Sequence, residues 1–283
     1  MHEVTWMPQR PPLAPLVPLA DGHAIPQVGY GMYKVPPADA TRLALAAIDA
    51  GYRHLDTAAL YGNEAEAGAA VRAAPVARDE LSVTSKVWND DHGYDEALRA
   101  FDAAMDRFGL ERLDLYLIHW PVPSRDRYVD TWRALIRLRE EGRVSSIGVS
   151  NFHVHHLERI IAETGVTPVV NQVELHPWLP QAELRAAHER MGIRTEAWSP
   201  LARGRVLATP LLDSIAAKHG RSPAQVVLAW HVHLGNIVIP KASSPGRIRE
   251  NLDVFDLRLD ADDLAALATL ESGERTGRDP DED

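Results

Sequence analysis

Cysteine is absent from this chain of 283 residues, which excludes a disulfide framework, a thiolate metal site and a cysteine nucleophile. The sequence also lacks an excess of positive charge. Thirty Lys and Arg stand against 40 Asp and Glu, for a net charge of −10. This balance argues against general binding to nucleic acid or to an anionic membrane surface, although it allows a local basic pocket.

Long apolar runs are missing as well. No stretch approaches the ~20 consecutive apolar residues of a membrane span. The first twenty residues have no basic start, and prolines interrupt them, which is unlike a signal peptide. Because 45% of residues are hydrophobic and 25% are charged, the composition is typical of a globular protein. We expect a soluble, cytoplasmic protein, with residues 1–12 as a flexible leader and residues 13–283 as a single domain.

Short apolar segments alternate with helical patterns along that domain. Proline near the start, apolar residues at helical spacing and a closing glycine mark a helix over residues 36–51. Eight strand–helix units follow one another without a linker, which predicts a parallel sheet, and a barrel of this type takes ~250 residues. Helices are predicted over residues 36–51, 63–74, 94–108, 128–141, 154–163, 181–191, 210–219, 223–234 and 244–251.

The start of the chain decides between two parallel-sheet architectures. Asp21-Gly22 lies between two short apolar runs, which is typical of a tight β-hairpin. A doubly wound sheet would need a glycine-rich turn after its first strand. Gly29-Tyr30-Gly31 stands there, but the third glycine of that motif is missing. We therefore predict an α/β fold, a (β/α)8 TIM barrel with an N-terminal β-hairpin.

Four ionisable residues fall at or near the ends of predicted strands. In a closed barrel these ends form one rim, where catalytic groups lie. The stretch GYRHLDTAALYGNEAEAG at 51–68 carries Asp56 at a strand end and Tyr61 in the loop that follows. Lys86 and His119 mark the ends of the next two strands.

Together these four residues suit the protonation of an oxygen that is becoming an alkoxide. A free phenol, with a pKa near ~10, is a poor acid at neutral pH. A nearby ammonium lowers that pKa, and a carboxylate beside the lysine holds it charged and in place. A histidine can orient a carbonyl by hydrogen bonding. Each residue alone has an ordinary structural role, but the combination indicates carbonyl reduction.

The histidines do not predict a metal site. His153, His155 and His156 form one cluster, and His231 with His233 forms another. Both clusters lie in predicted helices, where residues two apart do not face one another. Neither pairs with a carboxylate at a recognised metal spacing. We expect no metal, which also disfavours a metal-dependent barrel hydrolase.

Three motifs give the sequence a resemblance to the aldo-keto reductase family. GYRHLDTA…E…G at 51–68 resembles the first family signature, with Ala67 where a larger aliphatic residue is usual. IGVSNF at 147–152 resembles the second, and IPKASSPGRIREN at 239–251 the third, with Ala242 in place of a serine or threonine. LYLIHWP, NQVELHP, AWSPLA and ENLDVFDL are also in register, most closely with bacterial 2,5-diketo-D-gluconate reductase-like and prostaglandin F synthase-like members. The resemblance runs over about residues 13–280.

The resemblance implies NADPH-dependent reduction of aldehydes or ketones to alcohols. Tyr61 would be the general acid, tuned by Lys86 and Asp56, and His119 would orient the carbonyl. Ser150, Asn151 and Gln172 would hold the nicotinamide carboxamide, with Trp198 stacked on its ring. The full set of cofactor-binding residues implied is Met32, Tyr33, Ser150, Asn151, Gln172, Trp198, Ser199, Leu201, Lys241, Ser243, Arg247, Glu250 and Asn251.

The resemblance also places the other end of the cofactor. Lys241 and Arg247 match positions that meet the 2′-phosphate and adenine of NADP, and Glu250 and Asn251 match adenine contacts. Two cations near the N-terminus of the last predicted helix make an anion site even in an acidic protein. Because Ala242 removes one hydroxyl donor, NADH stays the alternative cofactor.

The sequence says less about the substrate and the partners of the protein. Tyr33, Trp88 and Trp120 are expected to wall an apolar substrate pocket, while Trp178 either joins them or packs the barrel. The tail, residues 273–283, lacks the family's usual aromatic end, so we expect this side to be open or disordered. The expected partner is a small carbonyl compound, with no nucleic acid or membrane, and the expected state is a monomer. A non-catalytic barrel that binds nucleotide to sense redox state is the alternative, which the intact four-residue set disfavours.

Overall fold

The computed structural model of the protein describes residues 13–282, so the predicted leader at residues 1–12 lies outside the described residues. The strands are β1 (Leu16–Pro18), β2 (Ala24–Pro26), β3 (Tyr30–Gly31), β4 (His54–Asp56), β5 (Ser82–Val87), β6 (Leu113–Ile118), β7 (Val144–Ser150), β8 (Val170–Glu174), β9 (Arg194–Trp198) and β10 (Ile237–Val238). The α-helices are α1 (Pro37–Ala50), α2 (Glu64–Ala73), α3 (Tyr94–Phe108), α4 (Tyr128–Glu140), α5 (Val154–Thr164), α6 (Ala182–Met191), α7 (Pro210–His219), α8 (Pro223–His233), α9 (Pro245–Leu252) and α10 (Ala261–Ala268).

Strands β3 to β10 lie in chain order in one parallel sheet, and the two ends of that order meet. Val28 forms a parallel bridge with Val238, and the Gly29 N–H donates to the Val238 carbonyl at 2.9 Å. At this seam a Cβ on Gly31 would lie 2.7 Å from the Ile239 carbonyl oxygen, so only glycine fits. Gly31 thus allows the two ends of the sheet to meet, and the predicted (β/α)8 barrel is confirmed.

The predicted N-terminal hairpin is also confirmed. β1 and β2 pair antiparallel around Asp21-Gly22, with Gly22 at a φ of +91°. Leu19 and Ile25 of the hairpin are buried in a small cluster with apolar residues of the barrel: Leu115, Leu117, Val169, Val170 and Ile237. Val169 and Ile237 lie where β8 and β10 begin. The hairpin therefore covers the end of the barrel opposite the strand ends that carry the polar residues.

Helices pack around the sheet through apolar faces that the sequence already shows. In α3 the buried residues are Ala97, Phe101, Ala104 and Phe108, the spacing of one helical face, and Gly109 ends the helix in the left-handed region. α3 and α7 have the predicted bounds, and the other predicted helices agree to within one or two residues. α10 was not predicted, because it follows the eighth strand–helix unit. Among the described residues, no helix combines the length and apolar character needed to cross a membrane.

Candidate active site

The carboxyl ends of the barrel strands surround a cleft of about 1350 Å³. Most residues predicted for catalysis, cofactor or substrate contribute to its wall, although they come from widely separated parts of the chain. These are Tyr33, Asp56, Tyr61, Trp88, His119, Trp120, Ser150, Asn151, Gln172, Trp198, Ser199, Leu201, Lys241, Arg247, Glu250 and Asn251.

Three predicted residues do not reach the wall. Lys86 is fully buried, and its ammonium group donates to the Asp56 carboxylate, which is in the wall. Met32 is fully buried in the hydrophobic core, and its carbonyl oxygen accepts a hydrogen bond from Asn63 Nδ2 at 3.0 Å. The Ser243 hydroxyl lies 2.5 Å from Lys241 Nζ. Met32 and Ser243 are thus not part of the cleft wall themselves, and their contacts with the cofactor stay predictions.

Asp56 and Lys86 form a buried ion pair at the base of the cleft. Lys86 Nζ lies 2.8 Å from each carboxylate oxygen of Asp56 and 2.8 Å from the Thr57 carbonyl oxygen. Three acceptors therefore use the three hydrogens of the ammonium group, which fixes its position. Because both side chains are almost completely buried, the pair depends on these contacts rather than on water.

Tyr61 and His119 complete the group of four. Tyr61 ends the short 3-10 helix Ala59–Tyr61 after β4, and Lys86 Nζ lies 5.2 Å from the centroid of its ring. His119 directly follows β6, with its ring centroid 5.6 Å from that of Tyr61 and 5.1 Å from that of Trp88. The four residues expected to be catalytic thus meet at one place in the cleft.

The acidity of Tyr61 differs from the sequence-based expectation. Burial raises the pKa of its phenol well above the ordinary value of 10.0, and the charge of Asp56 raises this pKa further. We expected Lys86 to lower the pKa, but the ammonium group is paired with Asp56 instead. Tyr61 is therefore protonated at neutral pH, the state from which a proton donor acts.

His119 is neutral at the same pH. Burial lowers the pKa of its imidazole well below 6.5, and the positive charges of Lys86 and Arg278 lower it further. A neutral imidazole has one N–H to donate and one lone pair. His119 can thus hold a carbonyl oxygen by a hydrogen bond, which leaves proton donation to Tyr61.

A second buried layer lies behind the ion pair. Gln172 Nε2 donates to Asp56 Oδ2 at 2.8 Å and to Glu196 Oε2 at 3.0 Å. Both amide hydrogens of Gln172 are therefore used, so its carbonyl oxygen is the group it can offer to the cleft. Glu196 lies inside β9 and is fully buried. Sequence reasoning missed this residue, although a carboxylate inside the apolar segment IRTEAW is a usable signal.

Glu196 gives a pH-dependent prediction. Burial raises the pKa of its carboxyl from 4.5 to about 8, and the charge of Asp56 raises it as well. Between these two values the folded protein holds one proton more than the unfolded chain, so the free energy of unfolding falls as pH rises through this window. Glu196→Gln removes the titration. We expect the stability of the variant relative to the wild type to increase from about pH 5 to 8 in urea unfolding.

The buried histidines titrate in both the Glu196→Gln variant and the wild type, so their effect on stability cancels in the difference between the two. Glu140→Gln, on the exposed side of α4, is the matched control and should not change the pH dependence. Parallel stability curves for the Glu196 variant and the wild type would contradict the prediction.

His54, Asp56 and Glu196 have ligand atoms close enough to hold a metal ion, contrary to the expectation that no such set converges in the barrel. Asp56, however, already contacts the Lys86 ammonium at 2.8 Å. His54 Nε2 lies 3.0 Å from Thr84 Oγ1 and 3.8 Å from Glu196. The positive charge of this cluster is thus supplied by the lysine.

Asn151 joins three strand ends around the cleft. Its amide donates to the His119 carbonyl at 2.9 Å and to Ser150 Oγ at 3.1 Å, and its oxygen accepts from Trp198 Nε1 at 2.8 Å. Its backbone has a φ of +63°, in the left-handed region that asparagine tolerates better than most residues. Because both amide hydrogens are used within the protein, its expected contact with nicotinamide stays a prediction.

At the far end of the cleft, positive charge lies beside the start of a helix. Lys241 follows β10, and Arg247 lies in the first turn of α9, which Ser244 caps. Both cations are exposed and belong to the cleft wall. Glu250 and Asn251 follow in the same helix, and Glu250 accepts a hydrogen bond from the Ser222 hydroxyl. The arrangement is suited to an anionic group such as a phosphate.

Comparison with known proteins agrees with this site. The model of the aldo/keto reductase family matches residues 27–272. The chain belongs to this family. An aldo-keto reductase of Mycolicibacterium smegmatis is 53% identical over 268 residues, which are 95% of this chain and 98% of that one. The 2,5-diketo-D-gluconic acid reductase B of a Corynebacterium species is 52% identical over 271 residues, with 95% and 98% covered. A Gox0644 variant crystallised with NADPH has a TM-score of 0.92 and 47% identity, covering 96% of this chain and 99% of its own.

The C-terminal tail of this aldo/keto reductase crosses the edge of the cleft, so the expectation of an open side is wrong. Glu174, at the end of β8, accepts hydrogen bonds from the N–H groups of Thr276 at 2.6 Å and Gly277 at 3.2 Å. The Arg278 guanidinium lies 4.5 Å from the centroid of the Trp120 ring. These three tail residues are part of the cleft wall. Arg278 had no sequence signal, because its place depends on how Glu174 holds the tail.

Trp178 has the packing role that the sequence left open. It packs against the main hydrophobic core and is not part of the cleft wall. Its carbonyl oxygen accepts hydrogen bonds from Ser272 at 3.0 Å and Gly273 at 2.9 Å, where the tail begins. Trp178 therefore anchors the start of the tail to the barrel core and does not line the substrate cleft.

Proposed function

We propose that this aldo/keto reductase reduces aldehydes and ketones to alcohols with NADPH, using Tyr61 as the proton donor. The observation that carries the proposal is the place of Tyr61 in the cleft, with its ring centroid 5.2 Å from Lys86 Nζ of the buried Asp56–Lys86 pair and 5.6 Å from that of His119. The related Gox0644 variant crystallised with NADPH supports the choice of cofactor. The non-catalytic redox sensor has no specific support, because such a protein has no need of a proton donor.

The cleft residues fit this cofactor. The Gln172 carbonyl oxygen is free to accept from a carboxamide, since both hydrogens of its own amide are used. Trp198 offers an aromatic face in the wall, fixed by its hydrogen bond to Asn151. Lys241 and Arg247 offer charge to a phosphate at the other end. When bound, NADPH supplies the hydride that the carbonyl carbon receives.

The protein's own residues supply the rest of the reaction. His119 donates a hydrogen bond to the carbonyl oxygen and fixes its direction. Tyr61 gives its proton to this oxygen as negative charge develops there. The Lys86 ammonium then stabilises the phenolate that remains, and Asp56 keeps the ammonium in place. Tyr33, Trp88 and Trp120 form the wall around the substrate.

The substrate class that the wall favours is a carbonyl compound with an acidic group. Arg278 faces the cleft over Trp120, and no ion pair joins it to a carboxylate among residues 13–282. The relative named for 2,5-diketo-D-gluconic acid acts, by that name, on such an acid. An unpaired guanidinium binds a carboxylate in a bidentate way, which gives both affinity and orientation.

The test is a panel of aldehydes, ketones and diketo sugars, assayed with NADPH and NADH side by side. Turnover of NADPH with a reactive aldehyde is the expected result, and cofactor binding without any turnover would favour the redox sensor. The panel includes 4-formylbenzoate and its neutral amide. A higher kcat/KM for the carboxylate is expected, and equal values would remove Arg278 from substrate binding.

Cofactor choice gives a separate prediction. Lys241→Ala and Arg247→Ala should each raise the KM for NADPH by about 10- to 100-fold, because a charge-assisted hydrogen bond to phosphate contributes about 1.5–3 kcal/mol. The KM for NADH should change little. Arg249→Ala is the matched control, since Arg249 lies on the same helix but outside the cleft wall. If the wild-type protein uses NADH as well as NADPH, the phosphate assignment is wrong.

The predictions that the protein is a monomer and acts in the cytoplasm stay predictions. Size-exclusion chromatography with light scattering would test the first, and fractionation of cells that express the protein would test the second.

A further inference from the structure

Five side chains that can bind metals meet outside the cleft, between the first turn of α5 and the C-terminal tail. His153 Nε2 lies 3.0 Å from Asp279 Oδ1 and 3.9 Å from Asp281 Oδ2. The Nε2 atoms of His155 and His156 each lie 3.3 Å from Asp281 Oδ1. We expected no metal here, since neighbouring helical histidines diverge. The structure differs because His153 precedes the helix and the two aspartates arrive from 126 residues away.

The spacing suits one small cation. Around a tetrahedral ion with bonds of ~2.0–2.1 Å, neighbouring ligand atoms lie about 3.3–3.4 Å apart. Among His153, His155 and the two aspartates, the nitrogen–oxygen distances are 3.0, 3.3 and 3.9 Å. The ligand atoms of His153, Asp279 and Asp281 lie within 4.8 Å of one another, and so do those of His155, His156 and Asp281. Asp281 belongs to both sets, so an ion bound to it lies between His153 and Asp279 on one side and the exposed His155 on the other. Imidazole nitrogen and carboxylate oxygen are ligands that Zn²⁺ accepts.

His156, the remaining histidine of the cluster, is placed to orient a ligand rather than to bind the ion itself. His156 Nδ1 accepts the backbone N–H of His153 at 3.1 Å, so a neutral His156 carries its proton on Nε2. This Nε2 is buried, points at Asp281 and makes no hydrogen bond with the described residues. His156 can therefore orient Asp281 from behind, as outer-shell groups do in metal sites.

Charge also favours an ion here. The start of α5 attracts the two carboxylates, because a helix N-terminus carries partial positive charge. Beyond the imidazoles, Arg275 is the cation that contacts them, 3.2 Å from Asp279. Asp281 is half exposed and has no such partner among residues 13–282. A divalent ion would balance both carboxylates at once.

We propose that His153, His155, Asp279 and Asp281 bind a divalent transition-metal ion, with Zn²⁺ as the reference case, and that His156 positions Asp281. The same tail carries Thr276, Gly277 and Arg278, which belong to the cleft wall. An ion at this site ties the end of the tail to α5, and so holds that part of the wall in place. The site is separate from the catalytic residues, and its occupancy can be measured without turnover.

The experiment uses the full-length protein without an affinity tag, dialysed against EDTA and then against buffer. Titration with ZnCl₂ by calorimetry, with metal content after equilibrium dialysis, should give one bound ion per chain. His155→Gln and the pair Asp279→Asn with Asp281→Asn should each abolish stoichiometric binding. His156→Gln should weaken it by about 10- to 100-fold, the usual effect of an outer-shell change. His233→Gln, an exposed histidine at the end of α8, is the matched control and should bind as the wild type does.

Hydrogen exchange supplies the second readout. Zn²⁺ should slow amide exchange in residues 274–282 of the wild type and not in the Asp279/Asp281 variant. Absence of stoichiometric binding would overturn the proposal and leave the cluster as histidine–aspartate ion pairs. Binding that survives in the aspartate variant, or that leaves exchange of the tail unchanged, would overturn it too. Circular dichroism checks that each variant is folded, which the exposure of His155 and Asp281 favours.

Discussion

Tyr61→Phe is expected to lower kcat for carbonyl reduction by about 10²–10⁴-fold, the range in which general acids contribute. The change removes one hydroxyl and keeps the ring, so the contacts with the Tyr33 ring at 5.0 Å and the His119 ring at 5.6 Å remain. Because the pKa of His119 lies well below 6.5, this histidine cannot replace the missing acid at neutral pH. Steady-state kinetics with NADPH and a reactive aldehyde measures the effect.

Cofactor binding separates a lost proton donor from a damaged site. The dissociation constant for NADPH, measured by fluorescence titration, should stay within about twofold of the wild-type value. Tyr94→Phe, at the exposed start of α3, is the matched control and should keep full activity. Retention of most activity by the Tyr61 variant would contradict its assignment as the acid.

Asp56→Asn is expected to destabilise the protein and to inactivate it. Lys86 is fully buried, and among residues 13–282 the charged group that contacts its ammonium is Asp56, through two 2.8 Å bonds. Removal of one partner of a buried pair leaves an uncompensated charge, which costs about 3–5 kcal/mol. The variant also loses the carboxylate that accepts from Gln172 at 2.8 Å, so the cofactor side of the cleft is disturbed. Urea unfolding followed by circular dichroism measures the stability.

A second substitution tests whether the unpaired charge is the cause. Asp56→Asn combined with Lys86→Met removes both charges, and we expect part of the lost stability to return while activity stays absent. Asp130→Asn is the matched control, because its ion pair with Arg133 lies at 2.7 Å on the surface of α4 and should matter little. Equal destabilisation by the single and the double change would show that the buried charge is not the cause.

The architecture was predictable from local patterns. Turn residues such as Asp21-Gly22, closing glycines and helical spacing of apolar residues depend on neighbours in the chain, and they placed the hairpin, the strands and nine helices correctly. Closure of the barrel was inferred by counting units. The role of Gly31 at the seam was not predicted, because the carbonyl oxygen that excludes its Cβ belongs to Ile239, some 200 residues away.

The site was predictable in part, for a similar reason. Strand ends share one rim, so Asp56, Lys86 and His119 could be placed together from their positions alone. The shift in the pKa of Tyr61 could not be predicted, because its direction depends on the burial of the phenol and on whether Lys86 is already paired. The tail was the largest error. Glu174 and His153, which directly precedes α5, hold it through contacts that no local pattern records.

The position of the hairpin bears on how a substrate enters the barrel and how its product leaves. Leu19 and Ile25 pack against the residues where the strands begin, so the hairpin covers that end of the barrel. Among the described residues, the cleft lies at the other end, where the strands end. A carbonyl compound that binds in this cleft and the alcohol formed from it are both next to the tail residues of its wall. The same part of the wall, formed by Thr276, Gly277 and Arg278, therefore contacts both substrate and product. We expect a substitution there that strengthens substrate binding to slow product release as well.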